Sequence, residues 1–202
     1  MLGGWKMPER FRLFISGGPD LEPEREVIGR VVAQLPVQLG WEIKRTPPPG
    51  EPRPADPIGV MQCDLFVFLM GQDITAPVGI EWEAARQSGR RMVLLLRKGR
   101  RTPAAAIFLR EMQMEWQVFE SATELEKLVR AALVDVLLER AVDFGLAPTE
   151  WEALHRMRQE EKEKRRKEEP TETVLEPAGA GGGGIILGPR DAGAGGIPIK
   201  ES

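Results

Sequence analysis

Glu81 stands in "MGQDITAPVGIEWEAARQSGRR" (residues 70 to 91), after a hydrophobic strand and a run of small residues, at the expected start of a helix. A carboxylate so placed is either a solvated helix-end charge or a group aimed at a ligand. The helix dipole alone favours an acidic residue in a first turn by roughly 0.3 to 1 kcal/mol. A second chemistry-bearing stretch is Ser16-Gly17-Gly18, where an apolar strand breaks before a helix. Glycines there allow backbone amides to approach a phosphate near a helix N-terminus, although a tight strand-to-helix turn explains them equally well. It is neither a G-x-G-x-x-G nor a Walker loop. Asp73 follows the other long apolar strand, and Trp82 adjoins Glu81 as a group for stacking or for packing helix on sheet.

The elements that must position these residues follow from periodicity. "FRLFIS" (11 to 16) reads as a strand, and Leu21, Val27, Ile28, Val31, Val32 and Leu35 then recur at helical spacing, with Asp20 as a cap. "WEIKRT" (41 to 46) alternates as a second strand. Six prolines between 47 and 57 leave room only for a short helix from Asp56-Pro57 onward. "CDLFVFLMG" (63 to 71) is a continuous apolar run suited to a central parallel strand, with Asp64 opening it. "GIEWEAARQSG" reads as a helix ending at Gly89, "RMVLLLR" as a strand, 102 to 112 as a helix and 115 to 121 as a strand. A long helix follows, opening on Ser121 with Glu124 three residues on.

This alternation predicts an α/β fold, a flavodoxin-like open parallel sheet of about five strands with helices on both faces. Ligands of such sheets lie beyond the carboxyl ends of the strands where strand order reverses, here between the first and the 63 to 71 strands. The expected organisation is an extension (1 to 10), the α/β domain (11 to 145), a charged helix (146 to 169) and a tail (170 to 202). In the charged helix, Trp151, Leu154 and Met157 form the docking side. The tail holds nine of the 22 glycines and reads as flexible and disordered, or as a tethered peptide able to recruit a protein partner.

Composition narrows the functions. A formal charge of -3 from 28 basic and 31 acidic residues, well mixed, gives no footprint for nucleic acid. One cysteine, Cys63, and one histidine, His155, cannot build a Cys/His metal cluster, and no cofactor is implied. His155 has no nucleophile beside it for a triad. With no leader pattern and no apolar run of spanning length, the expectation is no membrane association and a cytoplasmic location.

"LFISGGPDLEPERE", "CDLFVFLMGQDI" and "GIEWEAARQSGRRMVLLLRKG" together resemble a TIR-like domain family of unknown function. Its signature is Ser-Ser-Thr, Asp-Leu-x-x-Glu-Arg, a Cys-Asp-hydrophobic strand, and Glu-x-x-x-Ala-x-x-x-Gly-Lys-Pro. The resemblance covers about residues 10 to 140. Here Ser16-Gly17-Gly18 replaces Ser-Ser-Thr and Arg90-Arg91 replaces Lys-Pro. Glu81 matches in spacing the catalytic Glu of nucleoside deoxyribosyltransferases and, more loosely, of TIR-domain NAD hydrolases. The resemblance therefore implies a nucleotide-binding signalling or defence effector that cleaves the N-glycosidic bond of NAD or a related nucleotide. Glu81 would be catalytic, Ser16, Gly17 and Gly18 would meet phosphate, Asp73 and Asp64 would grip ribose or orient water, and Trp82 would stack. NAD enters as substrate, and self-association is possible chemistry for such a domain. The alternative is a non-catalytic interaction module whose Gly-rich tail recruits its partner.

Overall fold

The computed structural model describes residues 10–48, 50, 51 and 53–168; the glycine-rich 170–202 segment and residues 1–9 lie outside the described residues. Five strands, β1 (Phe11–Gly17), β2 (Trp41–Arg45), β3 (Leu65–Met70), β4 (Met92–Arg97) and β5 (Gln117–Phe119), form one sheet in the order β2-β1-β3-β4-β5. Every pairing is parallel, with Ile15 opposite Arg45, and Ser16 and Gly17 opposite Phe68 and Leu69. This is the open flavodoxin-like arrangement expected, with the reversal of order at β1 and β3.

Alternation along the strands divides the core. Leu13, Ile15, Leu65, Val67 and Leu69 face α1 (Glu22–Gln34) and α5 (Ala122–Glu139). Phe14, Phe66, Phe68 and Met70 face α2 (Pro57–Gln62), α3 (Ala76–Ser88) and α4 (Pro103–Met112). Both faces of β3 are buried along its whole length, which is why its sequence is an unbroken apolar run. Period two places Ser16 on the face shared with Phe14, looking toward α3.

Several boundaries differ from the sequence expectations. Helix α3 begins at Ala76 rather than near Gly79, with Thr75 at its N-cap and a proline in the opening turn, where no helical amide is lost. Glu81 consequently sits in the second turn, beyond the strongest part of the helix dipole, and no acidic residue occupies the first turn. Asp20 does not cap α1. It lies in a 3-10 turn (Pro19–Leu21) and turns its carboxylate toward β3 and β4. Strand β5 is three residues long, because Trp116 turns into the α4 side of the core and Ser121 already caps α5, accepting from the Glu124 amide at 3.2 Å. Helix α6 (Pro148–Glu168) buries Leu154 fully and packs Met157 on the core, whereas Trp151 stays 43% exposed against His155. Gly89 ends α3 in the left-handed region (φ 61°), as its position suggested. Among the described residues no helix is long and apolar enough to cross a membrane.

Candidate functional site

Three elements converge at the carboxyl end of β1. The strand itself delivers Ser16 and Gly17. The residue following β2 is Thr46, tied to the sheet by its amide bonding to the Ile15 carbonyl at 3.1 Å. Helix α3 brings Glu81. All three polar side chains are buried: Ser16 and Glu81 are 0% exposed and Thr46 is 3% exposed.

Their hydrogen bonds have one focus. Ser16 Oγ donates to Glu81 Oε2 at 2.7 Å and Thr46 Oγ1 donates to the same oxygen at 2.5 Å. Each hydroxyl has one proton, and both are spent on the carboxylate, so the 3.4 Å approach of the two hydroxyls is secondary. Thr46 Oγ1 also accepts from the Gly17 amide at 3.2 Å. Glu81 Oε1 is buried and has no hydrogen-bond partner among the described residues. Burial pushes the Glu81 carboxyl above the ordinary glutamate range; the Thr46 and Ser16 hydroxyls and the charge of Arg25 oppose this, and the charge of Asp56 adds to it.

Arg25 comes from α1 and is 5% exposed. One arm donates to the Gly17 carbonyl at 2.5 Å, and the other to Glu22 Oε2 at 2.7 Å. Glu22 also accepts from Arg45 at the end of β2, and the Arg25 hydrogen bond leads in holding its carboxyl below the usual range. Asp20 joins the neighbouring loops by accepting from the Gln72 amide and from Arg97, both at 2.9 Å; Glu24 takes Arg97's other arm at 3.0 Å.

The sequence candidates are thus placed unequally. Ser16, Gly17 and Glu81 come together. Gly18 is in the same turn, its α-carbon facing Asp20 and the backbone of Asp73. The Gly17 amide is occupied by Thr46. Asp73's carboxylate accepts from Thr102 Oγ1 at 2.6 Å and from the Ile74 amide at 2.9 Å, tying the β3-α3 loop to the start of α4 rather than meeting Glu81. Trp82 is 3% exposed, its ring 5.2 Å from Phe68 and 5.7 Å from Phe108 in the α3-α4 core. Asp64 is at the opposite end of the sheet, accepting from the Arg12 amide and from Arg140.

Thr46 and Arg25 were not among the sequence candidates. Local signals for both exist. Leu21, Ile28 and Val32 put position 25 on the buried face of α1, where an arginine is anomalous, and Thr46 is the first residue past a strand that neighbours β1.

Thr46 also forms part of a cavity of about 260 Å³ walled by Gly17, Pro19, Pro47, Pro48, Thr75 and Pro77, with Gly50, Glu51 and Arg53 beyond. Pro47, Pro48 and Arg53 are shared with a larger cleft of about 470 Å³ that runs past Lys44, Arg45 and Asp56. Glu81 is not itself in the cavity wall; Thr46 lines the cavity and also donates to Glu81. Among the described residues no cluster of His, Cys, Asp and Glu could hold a metal ion.

No protein-family model and no curated protein matches the chain. Among solved structures, it is similar to a CMP N-glycosidase of Clostridium botulinum, at 21% identity and a TM-score of 0.38, over 60% of this chain and 98% of that one.

Proposed function

We propose that this chain is a TIR-like, nucleotide-binding domain that cleaves an N-glycosidic bond, of NAD or a related nucleotide, with Glu81 as the catalytic carboxylate. The observation that carries this reading is the asymmetry of Glu81. Two hydroxyls fix Oε2, while Oε1 is buried without a partner among the described residues, and Thr46 also lines a cavity at the end of the sheet where α/β folds take ligands. A carboxylate left half satisfied in a protein interior is costly for stability, and such costs concentrate at functional sites.

In this role Oε2 anchors the side chain and Oε1 is the reacting atom. Departure of the base leaves positive charge at the anomeric carbon, and Oε1 either stabilises it electrostatically or bonds to that carbon; water then adds there, displacing Oε1 where the bond had formed, and its proton passes to the departed base or to solvent. Ligand entry requires Thr46 and the prolines after it to yield, since Glu81 is closed off from solvent. Service as a signalling or defence effector belongs to the same proposal and rests on the sequence motifs.

Incubation of the purified chain with NAD and a panel of nucleosides and nucleotides, beside Glu81→Gln, tests it by chromatography of released base. Release by the wild type and not by the variant is the expected result. No release at high protein concentration favours a second reading, the non-catalytic interaction module. The observation on that side is the complete burial of Glu81, which also suits a buried structural hub, together with Ile58, Met61 and Ile80 exposed on α2 and α3. Loss of partner binding on removal of 170–202, with the fold retained, is what that module requires.

A further inference from the structure

We infer that Arg25 is a positioning residue for Glu81: it pins the turn at the end of β1 that holds the carboxylate, and it sets a permanent positive charge within electrostatic reach of it. The inference deepens the N-glycosidase reading and rests on Glu81 being the working group.

A guanidinium 5% exposed on the apolar face of a helix needs a reason, because burying a charge costs several kcal/mol on the order of magnitude unless it is paired and hydrogen-bonded. Glu22 accounts for only one arm, and that carboxylate is itself shared with Arg45 on the surface. The other arm reaches inward to the Gly17 carbonyl at 2.5 Å. From there the bonds run through the same turn: the Gly17 amide donates to Thr46, and Thr46 and Ser16 donate to Glu81. Arg25 therefore holds Gly17 by its carbonyl, and the amide of the same residue, one peptide back, holds Thr46, one of the carboxylate's two donors. Asp56, ahead of α2, is the charge opposing it at Glu81, while β1 and the residue after β2 present hydroxyls there.

This gives the Asp-Leu-x-x-Glu-Arg run a division of labour. Asp20 and Glu24 hold Arg97, Leu21 fills the core, and Arg25 donates to the Gly17 carbonyl. Arginine is suited to this because its planar fork serves two acceptors at a fixed angle and stays charged at every accessible pH.

The test is a carbon-detected NMR titration of the full chain carrying ¹³C-labelled glutamate, with the Glu81 carboxyl assigned by its loss in Glu81→Gln. Arg25→Met is expected to shift the Glu81 midpoint upward from the wild type's. Arg25→Lys keeps the charge but cannot serve Glu22 and the Gly17 carbonyl together, and should give an intermediate rise. A midpoint unchanged in folded Arg25→Met overturns the inference; should that variant not fold, an unchanged midpoint in Arg25→Lys overturns it alone. The titration uses no substrate, so a shifted midpoint in a protein that releases no base separates failure of the glycosidase reading from failure of this one. Where base release is found, Arg25→Lys should lower kcat while leaving KM unchanged; an unchanged kcat overturns the positioning role.

Discussion

Thr46 Oγ1 reaches Glu81 Oε2 at 2.5 Å across 35 positions of sequence, and the same oxygen receives the Gly17 amide at 3.2 Å. One hydroxyl thereby joins the end of β1, the residue after β2 and the second turn of α3. Replacing it with the isosteric Val removes a donor from the carboxylate and an acceptor from a buried amide. Thr46→Val is expected to cost about 1 to 3 kcal/mol in urea unfolding, whereas Thr46→Ser, which keeps the hydroxyl, should cost clearly less. Equal costs for the two would mean that the methyl group contributes as much as the hydrogen bonds, and a cost confined to Thr46→Ser would mean that the hydrogen bonds contribute nothing.

The raised carboxyl of Glu81 makes stability depend on pH in a defined direction. Below the ordinary glutamate value near 4.5, folded and unfolded chains both hold the proton. As pH rises from there, the unfolded chain releases it first, so stability contributed by this group is lost up to and through the folded midpoint. Glu81→Gln keeps an acceptor for Ser16 and Thr46 and never ionises. Its melting temperature should lie nearest the wild type's below the ordinary glutamate value and exceed it increasingly as pH rises, until the folded midpoint is passed, seen by calorimetry at constant ionic strength. A difference that shrinks with rising pH would show the carboxylate to be stabilised, not penalised, by its surroundings.

The parallel sheet was legible because its evidence is local: "CDLFVFLMG" is apolar on both faces and the helices beside β1 and β3 repeat at 3.6. Ser16 and the helix that carries Glu81 follow from topology, since the crossing point of the sheet names which strand ends meet, whereas the choice of Glu81 within that helix rests on the family resemblance. The helix boundary before Glu81 is not legible locally because Ala76-Pro77-Val78-Gly79 has the composition of a loop, while the physics of a first turn tolerates proline. Arg25 and Thr46 could not be joined to Glu81 in the same way. Their link is a tertiary hydrogen-bond network whose members are dozens of residues apart, and no local period records it.

Gly71 shows how the loops around the site are spaced. A Cβ there would stand 2.2 Å from Asp20 Oδ2, and that carboxylate is not free to retreat, being bound to the Gln72 amide and Arg97. Gly71→Ala should therefore lower the denaturation midpoint by breaking the Asp20-Arg97 contact, at about 1 to 3 kcal/mol. In an Asp20→Ala background the same change should cost much less. Additive costs in this double-mutant cycle would mean that the two positions are independent.

Cys63 is 1% exposed, and burial pushes its thiol up to about 12. The thiolate is the nucleophile in alkylation, so the native protein should resist iodoacetamide at pH 8 and react within minutes once unfolded in urea. Prompt labelling of the native chain would indicate that the α2-β3 junction opens readily.

Trp82 separates a packing role from a ligand role. Its ring packs on Phe68 and Phe108, and its indole nitrogen is buried without a partner among the described residues. Packing accounts for the ring but leaves the indole N–H as a cost. Trp82→Phe retains the aromatic contacts and removes the orphaned donor, so stability should change by less than about 1.5 kcal/mol, whereas Trp82→Ala should cost about 3 to 5 kcal/mol by opening a cavity against β3. If the ring serves only the core, any base-releasing activity of Trp82→Phe keeps its wild-type KM. A KM raised several-fold in that variant, with an unchanged melting temperature, would instead place the indole against the substrate and require α3 to move when the ligand binds.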